Sequence, residues 1–244
     1  MKATVIIPAR YGSTRLAAKP LADLCGKPMI QHVYEQAVKA SLVDNVTIAT
    51  DDQRIVDAVK SFGGRVVMTA GYHQTGTDRI SEVADRCSAQ LIVNLQGDLP
   101  LLVPEMLDQL IDQFGKDDAV MGTLKREITS AEELYNPNVV KVVTDVRGYA
   151  LYFSRLPIPY VRDVKMTGKH YKHYGVYIYR RDSLKTFTQL PPSSLEQMEK
   201  LEQLRALENG YSIKVVETRH DSIEVDTPED LEKVKEIFLK KVAG

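Results

Sequence analysis

Strand and helix patterns alternate through roughly the first 115 residues, and that rhythm restricts the chain to an α/β architecture. Ala3-Thr4-Val5-Ile6-Ile7 reads as an apolar strand, and Ile30, Val33, Tyr34, Ala37 and Val38 share one helical face behind Pro28. Val46-Thr47-Ile48-Ala49 is a second strand, followed by a helix through Ile55, Val56 and Val59 that Gly63-Gly64 ends before Arg65-Val66-Val67-Met68. Ile80, Val83, Ala84 and Cys87 form another helical stripe, Leu91-Ile92-Val93 a buried strand, and Pro104 opens a helix with Leu107, Leu110, Ile111 and Phe114. Strands separated by helices predict a mostly parallel central sheet flanked by helices. The rhythm then breaks. Residues 139–143, 150–153 and 174–179 read as three strands without helices between them, a mixed or hairpin insertion with Gly148 at a turn. A helical stretch follows near 195–209, and Thr227-Pro228-Glu229-Asp230 caps a last helix bearing Leu231, Val234, Ile237 and Phe238. With no internal repeat and no low-complexity linker, residues 1–244 read as one domain.

A net charge of −1 gives no reason to expect nucleic acid or an anionic membrane as a partner, so any basic site must be local. Two cysteines, Cys25 and Cys87, supply neither a disulfide framework nor a four-ligand metal site, and they read as free thiols in a reducing compartment. The N-terminal apolar run is too brief for a signal peptide, and no stretch is long enough to cross a bilayer; a cytoplasmic location is expected.

The loop after the first strand, Pro8-Ala9-Arg10-Tyr11-Gly12-Ser13-Thr14-Arg15-Leu16-Ala17-Ala18-Lys19-Pro20, combines small residues with three cations, Arg10, Arg15 and Lys19. Small residues let backbone N–H groups approach phosphate oxygens and the cations offset their charge, at the carboxyl edge where open α/β sheets bind ligands. It is neither a Walker A loop nor a dinucleotide fingerprint, and a solvated surface loop is the competing reading. In Val93-Asn94-Leu95-Gln96-Gly97-Asp98, a second strand delivers Asp98 to the same kind of edge, where a carboxylate suits Mg²⁺ or simply caps a turn. Asp226 precedes a helix cap; Glu229 and Asp230 lie in the first helical turn, where the macrodipole favours them.

The string Ile-Pro-Ala-Arg-x-x-Ser-x-Arg-Leu-x-x-Lys-Pro-Leu resembles the signature of sugar nucleotidyltransferases, and of the 3-deoxy-manno-octulosonate (Kdo) cytidylyltransferases in particular. Other segments similar to that family are His73–Arg79, Gln96-Gly97-Asp98, Asn136–Lys141, Tyr149–Arg155, His173–Arg180, Leu201–Arg205 and Asp226–Asp230, nearly the whole chain. The resemblance implies a Rossmann-like nucleotidyltransferase (nucleotide-diphospho-sugar transferase) fold, with a nucleotide part over about 1–125 and a sugar-binding and dimerisation part over about 126–220. It further implies transfer of CMP from CTP to Kdo for lipopolysaccharide biosynthesis, with Mg²⁺ as cofactor and a homodimer as the assembly.

Residue roles follow from the same resemblance. Pro8, Ala9, Arg10, Ser13, Arg15, Lys19 and Asp98 are expected at the nucleotide, with Gln74, Thr77 and Arg79 as weaker base or ribose contacts, Thr77 serving equally well as a helix N-cap. Arg15, Lys19, Asp98 and Asp226 are the expected catalytic groups, and Asp98 and Asp226 the metal ligands. Gln96, Arg155, His173, Glu202 and Gln203 are expected at the sugar, Arg155 as partner of its carboxylate. The chain departs from the family at Ala17-Ala18, where Pro-Gly is usual, and at Leu99, where Glu is usual. Loss of a carboxylate beside the metal suggests an 8-amino-8-deoxy analogue of Kdo as substrate. A cytidylyltransferase for a sialic acid, or a regulatory module that binds nucleotide without turnover, are the alternatives.

Overall fold

The structure is a computed structural model that describes residues 2–12, 16, 18–163 and 168–243. In chain order its strands are β1 (Ala3–Ala9), β2 (Asp23–Leu24), β3 (Lys27–Pro28), β4 (Val43–Thr50), β5 (Val66–Met68), β6 (Leu91–Leu95), β7 (Met121–Glu127), β8 (Lys141–Thr144), β9 (Ala150–Ser154), β10 (Tyr171–Arg180) and β11 (Ile213–Glu217). The helices are α1 (Met29–Lys39), α2 (Gln53–Ser61), α3 (Gly76–Ala84), α4 (Pro104–Gly115), α5 (Ala131–Tyr135), α6 (Arg181–Gln189), α7 (Ser194–Glu199), α8 (Leu204–Glu208) and α9 (Pro228–Ala243).

The main sheet runs β11-β7-β10-β6-β1-β4-β5. Every neighbouring pair along it is parallel except those made by β10, which runs antiparallel to both β6 and β7. β1 is buried throughout because both sheet faces are covered: Val5 and Ile7 enter one apolar cluster with α1 and α4, and Ile6 enters the other with α3. From β1 the chain builds outward to β4 and β5, then returns to place β6 on the other side of β1. The topological switch point therefore lies between β1 and β6, and the loops after Ala9 and Leu95 leave it side by side.

The alternating half follows the sequence reading apart from the unforeseen 3₁₀ turn Lys19–Leu21 and β2–β3 hairpin ahead of α1, and two smaller differences. Val38 is 54% exposed and Met29 takes its place on the buried face of α1, because the stripe drifts off the sheet by the last turn. Cys87 lies beyond the end of α3. In the second half β8 and β9 form a hairpin whose turn holds Gly148 at φ 82°, a left-handed conformation that glycine adopts without a steric cost. The expected helix over 195–209 is two short helices. Lys200, at φ 54° and ψ 47°, ends α7, and the turn it starts carries residues 201–203 toward the sheet edge before α8 begins.

Candidate active site

Two cavities open at the switch point and share Gln96 and Asp226. The smaller, about 360 Å³, is walled by Pro8, Ala9, Arg10, Gly12 and Lys19 from the β1 loop, by Gly97 and Asp98 after β6, and by Gly76 at the start of α3. A Cβ on Gly76 would lie 3.2 Å from Pro8 Cγ, so glycine here lets the α3 N-terminus close against the β1 loop. The larger cavity, about 570 Å³, lies toward β10 and is lined among others by His173, Gly175, Glu202, Gln203, Ser222 and Glu224.

Asp98 and Asp226 are distant in sequence and meet here. The Val225 N–H donates to the Asp98 carbonyl (2.9 Å), which pins the segment before α9 across the end of β6. Thr227 then caps α9 by accepting from Asp230 N–H (3.2 Å), while its own N–H and hydroxyl donate to the Asp230 carboxylate (both 2.9 Å). The Lys19 ammonium bridges the two site carboxylates, 2.6 Å from Asp98 Oδ2 and 2.9 Å from Asp226 Oδ1. Burial works against that charge, but Asp98 and then Asp226 outweigh it and raise the lysine's pKa. Lys19 is presented by a short 3₁₀ turn entered through Ala18 at φ 50° and ψ 32°. An alanine in that region costs about 1 kcal/mol relative to glycine, which is the physical content of the Ala17-Ala18 departure at position 18.

Sequence reasoning did not single out Glu224. Its Oε1 accepts from Gly175 N–H (3.0 Å), and its carboxyl is pushed up to about 7 by burial, by Asp98 and, more weakly, by Asp226. The signal was present two residues before Asp226, but a lone glutamate in a loop looks like a solvated charge.

Several buried polar atoms at the cavity walls lack a hydrogen-bond partner among the described residues: Arg10 Nη2 beside the smaller cavity, and Glu202 Oε1, Gln203 Nε2 and Ser222 Oγ around the larger. Such atoms cost free energy unless something else satisfies them, so both cavities have the character of ligand sites. Burial, then the nearby Arg79, lowers the Arg10 pKa. Thr77 lies in the first turn of α3 and its hydroxyl donates to Glu202 Oε2. Burial raises the Glu202 pKa, an effect that this hydrogen bond opposes.

His173 is buried, with Nε2 3.0 Å from Thr123 Oγ1, and burial drops its pKa to about 3. A depressed folded pKa means that stability is full above the unfolded value of about 6.5 and is lost as pH falls toward the folded one. Urea unfolding at pH 5 should therefore show this residue's share reduced by about 2 kcal/mol relative to pH 7. His173→Gln should flatten that part of the pH dependence.

The structure moves several expected residues away from the cavities. The Arg155 guanidinium is taken up by backbone carbonyls, with Nε 2.7 Å from Glu199 O, Nη1 2.9 Å from Pro137 O and Nη2 3.3 Å from Lys200 O. It braces the turn that carries Glu202 and Gln203, and does not line the larger cavity. Arg79 is wholly buried, 2.7 Å from Asp51 Oδ2 and 2.5 Å from Thr69 Oγ1, because the one-sided stripe of α3 turns it under β4. Arg79→Met should lower stability by about 3 kcal/mol, read by urea unfolding, and leave the KM for nucleotide unchanged. Gln74 is exposed, donating to Tyr72 O (3.0 Å), and lines neither cavity. Thr75, not Thr77, is the α3 N-cap, in a capping box with Asp78. Leu99 is fully buried in the apolar cluster with Leu95, Leu102 and Met106, so its side chain takes no carboxylate's place on the cavity wall. Ser13 and Arg15 lie outside the described residues.

A mostly parallel sheet with cavities at its switch point, edged by a basic loop and paired aspartates, has the layout expected of a nucleotidyltransferase. Residues 4–218 match the family model described as Cytidylyltransferase. Proteins named 3-deoxy-manno-octulosonate cytidylyltransferase from Geobacter sulfurreducens and Geotalea uraniireducens are 57% and 58% identical, over 97% and 98% of this chain and 99% and 100% of theirs. A solved CMP:2-keto-3-deoxy-manno-octonic acid synthetase complexed with CTP is 46% identical, covers 99% of this chain and 100% of its own, and superposes with a TM-score of 0.93. A putative glucose-1-phosphate thymidylyltransferase from Bacillus anthracis, 16% identical over 96% of this chain and 94% of its own with a TM-score of 0.65, shares the fold. The chain belongs to the 3-deoxy-manno-octulosonate cytidylyltransferases of the cytidylyltransferase family.

Proposed function

We propose that the protein transfers CMP from CTP to the anomeric hydroxyl of Kdo and releases pyrophosphate. The observation that carries this reading is the junction of two cavities at Gln96 and Asp226, with the Asp98–Lys19–Asp226 cluster where they meet. The sugar's C2 hydroxyl oxygen forms a bond to the α-phosphorus and gives up its proton to solvent, while the bond from that phosphorus to the oxygen bridging to the β-phosphate breaks and its electron pair leaves with pyrophosphate. The protein's part is positioning and charge neutralisation. Pro8, Ala9 and Arg10 bind the nucleotide, and Arg15 and Lys19 take the charge of the leaving pyrophosphate.

Asp98 and Asp226 fit a magnesium site: two hard carboxylates converge at the sheet edge on a common cation, here the Lys19 ammonium. Magnesium bound there supplies further neutralisation of the phosphates. Gln96, His173, Glu202 and Gln203 contact the sugar. His173, neutral at all working pH values, acts only as a hydrogen-bonding group.

The 8-amino analogue of Kdo is the second candidate substrate. Support for it comes from the larger cavity, whose lining carries six carboxylates against three lysines among the described residues, a setting that favours an ammonium substituent. The exposed Leu151, Leu156 and Tyr160, in and after the β9 arm, support a homodimer. No helix among the described residues is long and apolar enough to cross a membrane, and we place the enzyme in the cytoplasm, supplying activated sugar for lipopolysaccharide biosynthesis. Pyrophosphate release from CTP with Kdo, its 8-amino analogue or a sialic acid tests the reading. The highest kcat/KM is expected with Kdo. Preference for the analogue or for sialic acid replaces the substrate, and nucleotide binding without release in any arm makes the protein a regulatory module.

A further inference from the structure

Glu224 lines the larger cavity two residues before Asp226, which both cavities share, and the reaction as derived above gives it no role. Its placement is built. The β10 register shifts between Tyr174 and Tyr177, which takes Gly175 out of the ladder with β7 and leaves its N–H to donate to Glu224 Oε1 (3.0 Å). A Cβ on Gly175 would lie 3.4 Å from that oxygen and 3.5 Å from Gln96 Cγ, so the bare glycine lets the glutamate settle beside Gln96. Among the described residues Oε2 makes no hydrogen bond, and the side chain lines the larger cavity. Nor does it have a salt-bridge partner of its own among those residues, since Lys19 is engaged by Asp98 and Asp226. A half-buried carboxylate facing a cavity beside two other carboxylates is unfavourable for stability alone.

Resting on the Kdo reading, we propose that Glu224 is a substrate-positioning residue: Oε2 accepts a hydrogen bond from a sugar hydroxyl near the reacting carbon. The hydroxyl donates, the carboxylate accepts, and no proton is transferred. Gly175 fixes one oxygen so that the other points at the sugar in a defined direction. This contact orients the acceptor while Asp98, Lys19 and Asp226 handle the phosphates. It also gives the enzyme a means of rejecting sugar acids that lack that hydroxyl, because an unmatched acceptor would then be buried.

The test uses Glu224→Ala and Glu224→Gln in the full chain, after confirming pyrophosphate release by the wild type; absence of release there would sink the Kdo reading itself. Glu224→Ala should raise the KM for Kdo about ten- to a hundredfold, the range for a hydrogen bond to a charged group. Glu224→Gln should fall between it and wild type. The KM for CTP and the half-saturating Mg²⁺ concentration should stay within about twofold of wild type. Mono-deoxy Kdo analogues at C4, C5, C7 and C8, with the 2-deoxy compound as competitive inhibitor, locate the contact. One of them should bind wild type and Glu224→Ala equally. A uniform loss across all analogues, an unchanged KM for Kdo, or a shift in Mg²⁺ or CTP dependence in place of the Kdo effect would overturn the proposal.

Discussion

Asp98→Asn should lower kcat by about a thousandfold or more while the protein stays folded. The amide keeps the shape of the side chain, so the Val225 N–H to Asp98 carbonyl bond and the crossing of the 222–226 segment are untouched. What disappears is one of the two charges that converge at the cavity junction. The stability change is small because opposing effects offset: Lys19 loses a partner at 2.6 Å, and Glu224 and Asp226 lose a like-charged neighbour. Asp226→Asn should behave the same way. Steady-state pyrophosphate release together with thermal unfolding checks both, and near-normal turnover in the two variants would refute the metal assignment.

Lys19→Met should cost about a hundred- to a thousandfold in kcat/KM, and it should also tighten Mg²⁺ binding to the nucleotide-free protein. Methionine preserves the apolar stem and removes the ammonium that bridges Asp98 and Asp226. With that internal cation gone, the paired carboxylates repel each other until a metal ion arrives. Calorimetric titration with Mg²⁺ reads this effect without turnover, and unchanged or weaker Mg²⁺ binding would contradict it. The sign of the pH dependence is fixed as well. The Lys19 pKa is raised by its partners, so its stabilisation is complete below the unfolded value of about 10.5 and disappears only as pH rises through the folded value. The bridge is thus intact at neutral pH, and its loss in Lys19→Met should lower stability at pH 7.

The alternating half was legible because each of its helices carries a clear apolar stripe, as with Ile55, Val56 and Val59 in α2 or Leu107, Leu110 and Ile111 in α4. Four elements of the other half escaped for the opposite reason. α5 buries no residue, α6 buries only Leu184 and Phe187 among polar neighbours, β7 hides Thr123 and Lys125 in its core-facing run, and β11 is five residues long. No period distinguishes such segments from loops.

The site divided in a similar way. Asp98, Asp226, Lys19 and Gln96 stand at strand ends or beside a helix cap, positions that topology alone brings together. Arg155 and Arg79 misled because a guanidinium's chemistry does not say whether a ligand or the protein itself takes up its donors, and the actual partners, three carbonyls for one and Asp51 with Thr69 for the other, depend on tertiary packing. Leu99 misled through the alternation that follows a strand, since one step along the chain carries a side chain from the cavity into the core. Glu224 was invisible because its meaning comes from the bulge at Gly175, about fifty residues away in sequence.

The fate of the α-phosphate tests the central claim most directly. With CTP labelled at the α-phosphorus, the label should appear in a sugar nucleotide, at a rate that depends on Kdo and that Asp98→Asn abolishes. Label that stays in CTP whatever sugar acid is added, or that emerges as free CMP without any need for Kdo, would contradict it.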